Sequence, residues 1–124
     1  PFAVNDTKLS YVSMNGQEVY KFAVKTVPKV IEEAVKKAGL EVEDIDLFVL
    51  HQANLRIIES VAKRLHQPME KFPTNLEECG NISAASVPIL LDNINKRGMI
   101  CEGKKIVLAG FGAGLTWGAT VLVW

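Results

Sequence analysis

The chain has 124 residues, enough for one domain with a real core, and its 14 Lys and Arg balance its 14 Asp and Glu. That balance gives no bulk field favouring nucleic acid or a membrane surface, no apolar run approaches the roughly 20 residues of a membrane span, and no signal peptide opens the chain. Two cysteines, Cys79 and Cys101, fit a reducing compartment better than a disulfide scaffold, and with two histidines at irregular spacing they offer no credible metal site.

In chain order, residues 1–15 form a short polar lead (Asn5, Asp6, Thr7) with no core pattern. From Gly16 a long helix is predicted. Val19, Phe22, Ala23, Val27, Val30, Ile31, Ala34 and Ala38 fall on one stripe, and Gly39 after Lys36 and Lys37 is a natural stop. Pro28 interrupts the amide ladder, so a kink or two abutting helices are expected there. Asp46–Leu50 is a nearly all-apolar run, the signature of a strand covered on both faces. A second helix follows, with Leu55, Ile58, Val61, Ala62 and Leu65 as its stripe and Pro68 beyond its end. A short extended stretch around Phe72–Asn75 then leads to Cys79–Ser86. A third helix runs to about Arg97, with Val87, Leu90, Leu91 and Ile94 on one face, Pro88 in its first turn and Gly98 as its stop. Two strands, Lys105–Ala109 and about Thr116–Trp124, finish the chain, joined by a glycine-rich loop at 110–114. Alternating helices and buried strands make the class α/β with a mixed sheet and covering helices.

Three polar features fall where a sheet meets its loops, the usual place for an α/β active site. They are His51 at a strand's C-terminal end, Asn81 in a Gly-Asn turn before a helix, and the loop Gly110-Phe-Gly-Ala-Gly114. A histidine and an asparagine amide can each donate a hydrogen bond to one developing oxyanion, and glycines let backbone N–H groups approach another. Singly, each has a plain structural alternative: a loop histidine, a turn or N-cap asparagine, a hairpin of glycines. The Gly-x-Gly-x-Gly string is not a dinucleotide fingerprint, because a strand follows it where pyrophosphate would need a helix N-terminus. Neither cysteine has an acid–base partner nearby in sequence, so both read as inert thiols.

Taken together the strings are specific. His51-Gln-Ala-Asn-Leu-Arg-Ile-Ile58, Gly80-Asn-Ile-Ser-Ala-Ala-Ser86 and Gly110-Phe-Gly-Ala-Gly-Leu-Thr-Trp-Gly118 resemble the β-ketoacyl-acyl-carrier-protein synthase III family, in order and spacing. Met14-Asn-Gly-Gln-Glu-Val-Tyr-Lys-Phe-Ala23 resembles that family's long-helix opening, so the likeness covers residues 10–124. Elongating ketosynthases would carry a second histidine at the position of Asn81.

The resemblance implies the C-terminal half of a thiolase fold, in which two similar α/β halves bear a Cys-His-Asn triad. His51 and Asn81 match two of the three, and would stabilise the enolate formed when malonyl-acyl-carrier-protein loses carbon dioxide. Phe111 matches an aromatic residue that gates the malonyl group, and the amide of Ala113 an oxyanion-hole donor. Asn54 matches a pantetheine contact, Gly16 and Tyr20 positions near the coenzyme A tunnel, and Arg56 a basic residue that engages the acidic carrier protein. No cofactor is implied, since coenzyme A and phosphopantetheine thioesters are substrates. The implied partners are acyl carrier protein, acyl-CoA and the N-terminal half, in a homodimer of the full enzyme. The implied location is the bacterial cytoplasm or the plastid stroma. Ile82 departs from the family's usual threonine, and Cys79 is not the nucleophile, which belongs to the N-terminal half.

The chain alone is therefore expected to be inactive in condensation. The start at Pro1 and the 48% hydrophobic content fit a piece whose apolar surface meets more protein. Two alternatives stand beside this reading. One is a free-standing half that acts as a carrier-protein-binding or assembly module. The other is a ketosynthase-III-like enzyme of secondary metabolism.

Overall fold

The computed structural model describes residues 13–124, so the polar lead predicted over residues 1–15 lies almost entirely outside the described residues. Helix α1 spans Gly16–Lys37 and starts where the side chain of Asn15 accepts the amide of Glu18. It runs through Pro28 as one helix, and the alternative of two abutting helices does not occur. Packing explains the continuity: Val24, Val27, Pro28 and Ile31 are all buried, so one apolar face is held on both sides of the missing amide. The buried stripe is Ala23, Val24, Val27, Ile31 and Val35, whereas Ala38, expected on it, is exposed as the C-cap. Gly39 then turns left-handed (φ +71°), and Leu40 N–H reaches back to Val35 O at 3.1 Å, which satisfies carbonyls that the helix end would leave bare.

A single 3-10 turn, Val42–Asp44, leads into strand β1, Leu47–Leu50, all four residues of which are buried. Helix α2 (Leu55–Arg64) buries Ile57, Ile58, Val61 and Ala62. Leu55, predicted on this stripe, is exposed at the first helical position, and Ile57 takes its place. After a 3-10 turn at Met69–Lys71, the stretch read as extended, Phe72–Asn75, holds no helix and is followed by a one-turn helix, α3 (Leu76–Cys79), too short to leave a periodic signal. Helix α4 (Ser86–Lys96) is the predicted third helix, and buries Leu90 and Ile94. Gly98 ends it with the same capping pattern, Met99 N–H to Ile94 O at 3.0 Å.

Strands β2 (Lys105–Gly112) and β3 (Thr116–Val123) complete a sheet of order β1-β2-β3, parallel then antiparallel. The glycine-rich segment is therefore not a loop over 110–114. The ladder continues through Gly110↔Gly118, Phe111↔Trp117 and Gly112↔Thr116, and only residues 113–115 turn. Glycine lowers strand propensity but keeps both backbone hydrogen-bonding groups, so pairing overrides the loop signal.

The period of two in the strands splits the core. Phe48, Leu50, Val107 and Ala109 face α1 and α2, where Phe48 stacks on Phe72 at 4.6 Å between centroids. Leu47, Val49 and Ile106 face α4, against Leu90 and Ile94. Each of the Phe, Leu, Ile and Val side chains among these, fully buried, contributes about 1.5–3 kcal/mol. The sheet is thus covered on both faces at β1 and the first part of β2, while β3 stays largely exposed, and His51 stands at the open end of β1. Among the described residues no helix is long and apolar enough to cross a membrane.

Candidate active site

The parallel pairing of β1 with β2 sets His51 in place: its amide donates to Ala109 O at 2.8 Å, prolonging the ladder by one bond. The next residue, Gln52, is fully buried, with Nε2 donating to Leu50 O at 2.9 Å and Oε1 accepting the amide of Asn75 at 3.3 Å. A buried, doubly bonded side chain therefore anchors the backbone directly beside His51. The imidazole is half-buried. Its Nδ1 lies 2.6 Å from Ser86 Oγ, and its ring meets that of Phe111 edge-on at 5.2 Å between centroids. Burial holds its pKa below the ordinary value of 6.5, which favours the neutral ring.

Asn81 follows Gly80, whose φ of +63° and ψ of −156° form a backbone conformation nearly confined to glycine. The Asn81 Oδ1 accepts the amide of Ser83 at 3.2 Å. Only the oxygen of an amide side chain can accept from a backbone N–H, so this turn directs the NH2 group away, free to donate. His51, Asn81, Phe111 and Ala113 line one cleft of about 890 Å³ at the C-terminal ends of β1 and β2. Phe111 comes from β2 and rests on Phe22 of α1 (6.5 Å), which also meets Trp117 of β3 (5.5 Å), so one helix residue supports both aromatic walls. Ala113 lies in the β2–β3 turn, where its carbonyl accepts the hydroxyl of Thr116 at 3.0 Å.

Two groups that can donate hydrogen bonds and that line one open cleft are suited to stabilising an anion that develops there. Residues 35–124 match the family described as "3-Oxoacyl-[acyl-carrier-protein (ACP)] synthase III C terminal". The chain belongs to this family. It is 51% identical over 115 residues to the β-ketoacyl-[acyl-carrier-protein] synthase III of Clostridium acetobutylicum, covering 93% of this chain and 35% of that protein. With the chloroplastic synthase III of Arabidopsis thaliana the identity is 50% over 123 residues, 99% of this chain and 30% of the relative. The crystal structure of the synthase III of Thermus thermophilus superposes with a TM-score of 0.88 at 51% identity, covering 90% of this chain and 35% of that one. The chain thus spans about a third of the length of the curated relatives it matches, and its fold is that of the C-terminal part of a thiolase-like synthase III.

The other residues singled out by the synthase III resemblance do not line the cleft. Asn54 caps α2, its Oδ1 accepting the amide of Ile57 at 3.0 Å, so only its NH2 group remains for a ligand. Arg56 is exposed in the first turn of α2. Gly16 begins α1, and Tyr20 lies on the exposed side of that helix. Gln52 and Ser86 were not singled out as functional in the sequence. Ser86 is 1% exposed and bonds both the His51 ring and, at 3.3 Å, the amide of Gln52. A serine opening a helix reads as an ordinary end residue. Only its closeness to a histidine 35 positions away gives it another meaning.

Proposed function

We propose that this chain supplies the enolate-stabilising half of a condensing enzyme that joins an acyl group, acetyl in the simplest case, from acyl-CoA to malonyl-acyl-carrier-protein. In this reading a cysteine thiolate outside the chain takes the acyl group and releases coenzyme A. The malonyl thioester then loses carbon dioxide, and the electron pair of the broken C–C bond passes into an enolate. His51 and Asn81 donate to the enolate oxygen. The carbanion carbon attacks the acyl-cysteine carbonyl, the C–S bond breaks, and 3-oxoacyl-carrier-protein leaves with the thiolate restored. The observation that carries the reading is that the Asn81 side chain, its NH2 group without a partner among the described residues, and the His51 ring line one cleft walled by Phe111.

Burial favours the neutral ring of His51, which still carries one N–H with which to donate to the oxyanion. Phe111 would gate the malonyl group. The amide of Ala113 would face the acyl-enzyme oxyanion. Gly16, Tyr20 and the NH2 group of Asn54 would meet the coenzyme A or pantetheine arm. Arg56 would meet the acidic carrier protein, and the full enzyme would be a homodimer of the bacterial cytoplasm or the plastid stroma. The name of the Arabidopsis relative supports the second location.

The test uses the full-length protein. His51→Ala and Asn81→Ala should each lower malonyl decarboxylation by about 10²–10³ while acetyl transfer from acetyl-CoA continues. Normal condensation by either variant would overturn the assignment.

A further inference from the structure

The hydroxyl of Ser86 is buried, 1% exposed, and it sits between two partners. The amide of Gln52 donates to Oγ at 3.3 Å, which uses one lone pair. Nδ1 of His51 lies 2.6 Å away. Two proton arrangements fit that distance. If Nδ1 carried the proton, Ser86 would accept twice and its own hydrogen would have no acceptor among the described residues, in a site that solvent does not reach. If Ser86 donates to Nδ1, every one of these groups is satisfied, and the neutral ring carries its proton on Nε2. Nε2 has no protein partner among the described residues, and the ring lines the cleft.

We infer that Ser86 is a positioning residue: its hydroxyl donates to Nδ1 of His51, so the proton of the neutral imidazole stands on Nε2, aimed into the cleft as a hydrogen-bond donor. Gln52 completes the device. Its side chain is fixed by Leu50 O and the amide of Asn75, and its own amide takes one of the two Oγ lone pairs, so a protonated Nδ1 would have to take the other and leave the serine hydrogen without an acceptor among the described residues. The serine at the start of α4 thus links that helix to the end of β1 and selects one of two tautomers. This rests on the proposed role of His51 in stabilising the enolate.

The experiment is nitrogen-15 NMR of labelled histidine in the full-length protein at a pH where the ring is neutral, with the signal assigned by its loss in His51→Ala. An unprotonated Nδ1 and a protonated Nε2 are expected, with a mixture of tautomers in Ser86→Ala and restoration in Ser86→Thr. Ser86→Ala should also lower kcat for malonyl decarboxylation about tenfold, with KM and acetyl transfer little changed. A protonated Nδ1 in the unaltered protein overturns the inference, whether or not any variant folds. So does a tautomer unmoved in Ser86→Ala, and His51→Ala then judges the enolate reading by itself. A tautomer that shifts while decarboxylation stays constant upholds the role of Ser86 and counts against the enolate reading.

Discussion

At the scale of single residues, the charge state of His51 bears directly on the proposed function of the cleft. Burial lowers its folded pKa below 6.5. The unfolded chain therefore binds more protons than the folded one as pH falls through that value. The stabilising contribution is full above 6.5 and is lost as pH falls through the unfolded value toward the lower folded one. The same shift sets an activity limit. If His51 acts neutral as proposed, the acid limb of kcat/KM for malonyl decarboxylation should be centred below 6.5, and a limb centred above 6.5 would contradict a desolvated ring. Asp46 acts in a lower window. The Lys104 ammonium, at 2.8 Å, and the Lys105 amide hold its carboxyl below 3.8, so its contribution is present above that value and lost beneath it. Both partners of the ion pair remain about a third exposed, 37% and 33%, so solvent screens it and its share of stability is small.

At the scale of elements, three helices end in one way, and one of them departs in sequence. Helices α1 and α4 close on Gly39 and Gly98, whereas α2 closes on His66, left-handed at φ +53°, with Gln67 N–H reaching Ala62 O at 3.1 Å. A side chain in that conformation costs about 1–2 kcal/mol that glycine does not incur. His66 is exposed, so its imidazole contributes no packing to offset the cost. His66→Gly should therefore raise stability by about 1 kcal/mol, read as a higher denaturation midpoint, and a lower midpoint would show an unrecognised role for the ring. Helix stops at glycine were legible because the signal is local. The conformation of His66 was not, since nothing beside it in sequence marks a left-handed turn. The one-turn α3 and the strand character of Gly110–Gly112 were hidden for a related reason: the first is shorter than one helical period, and the second is held by pairing with residues 116–118.

At the scale of the whole molecule, the outer part of the sheet is apolar where it is exposed. Trp117, Val123 and Trp124 of the β3 end are 52%, 65% and 42% exposed, and β3 is the edge of the sheet among the described residues. An edge strand eight residues long that exposes such apolar side chains invites association. The chain spans about a third of its relatives' length, and under the proposed function this surface would meet further protein. Purified in isolation, the 124-residue chain should self-associate and bind a hydrophobic dye. A monomer that binds none, by sedimentation and fluorescence, would show the surface to be benign.

The sequence by itself determined the α/β class, the buried strand within the run Asp46–Leu50, two of the three left-handed helix stops, and His51 and Asn81 as the pair worth testing. These depend on local periodicity, local backbone demands and motif strings, all written in consecutive residues. Only the tertiary structure decided that Gln52 is buried and Leu55 is not, that the glycines at 110 and 112 belong to a strand, and that Ser86 holds the His51 ring. Each of these depends on a partner distant in the chain. The proton of a histidine or the orientation of an amide follows from whichever group the fold brings within hydrogen-bond reach.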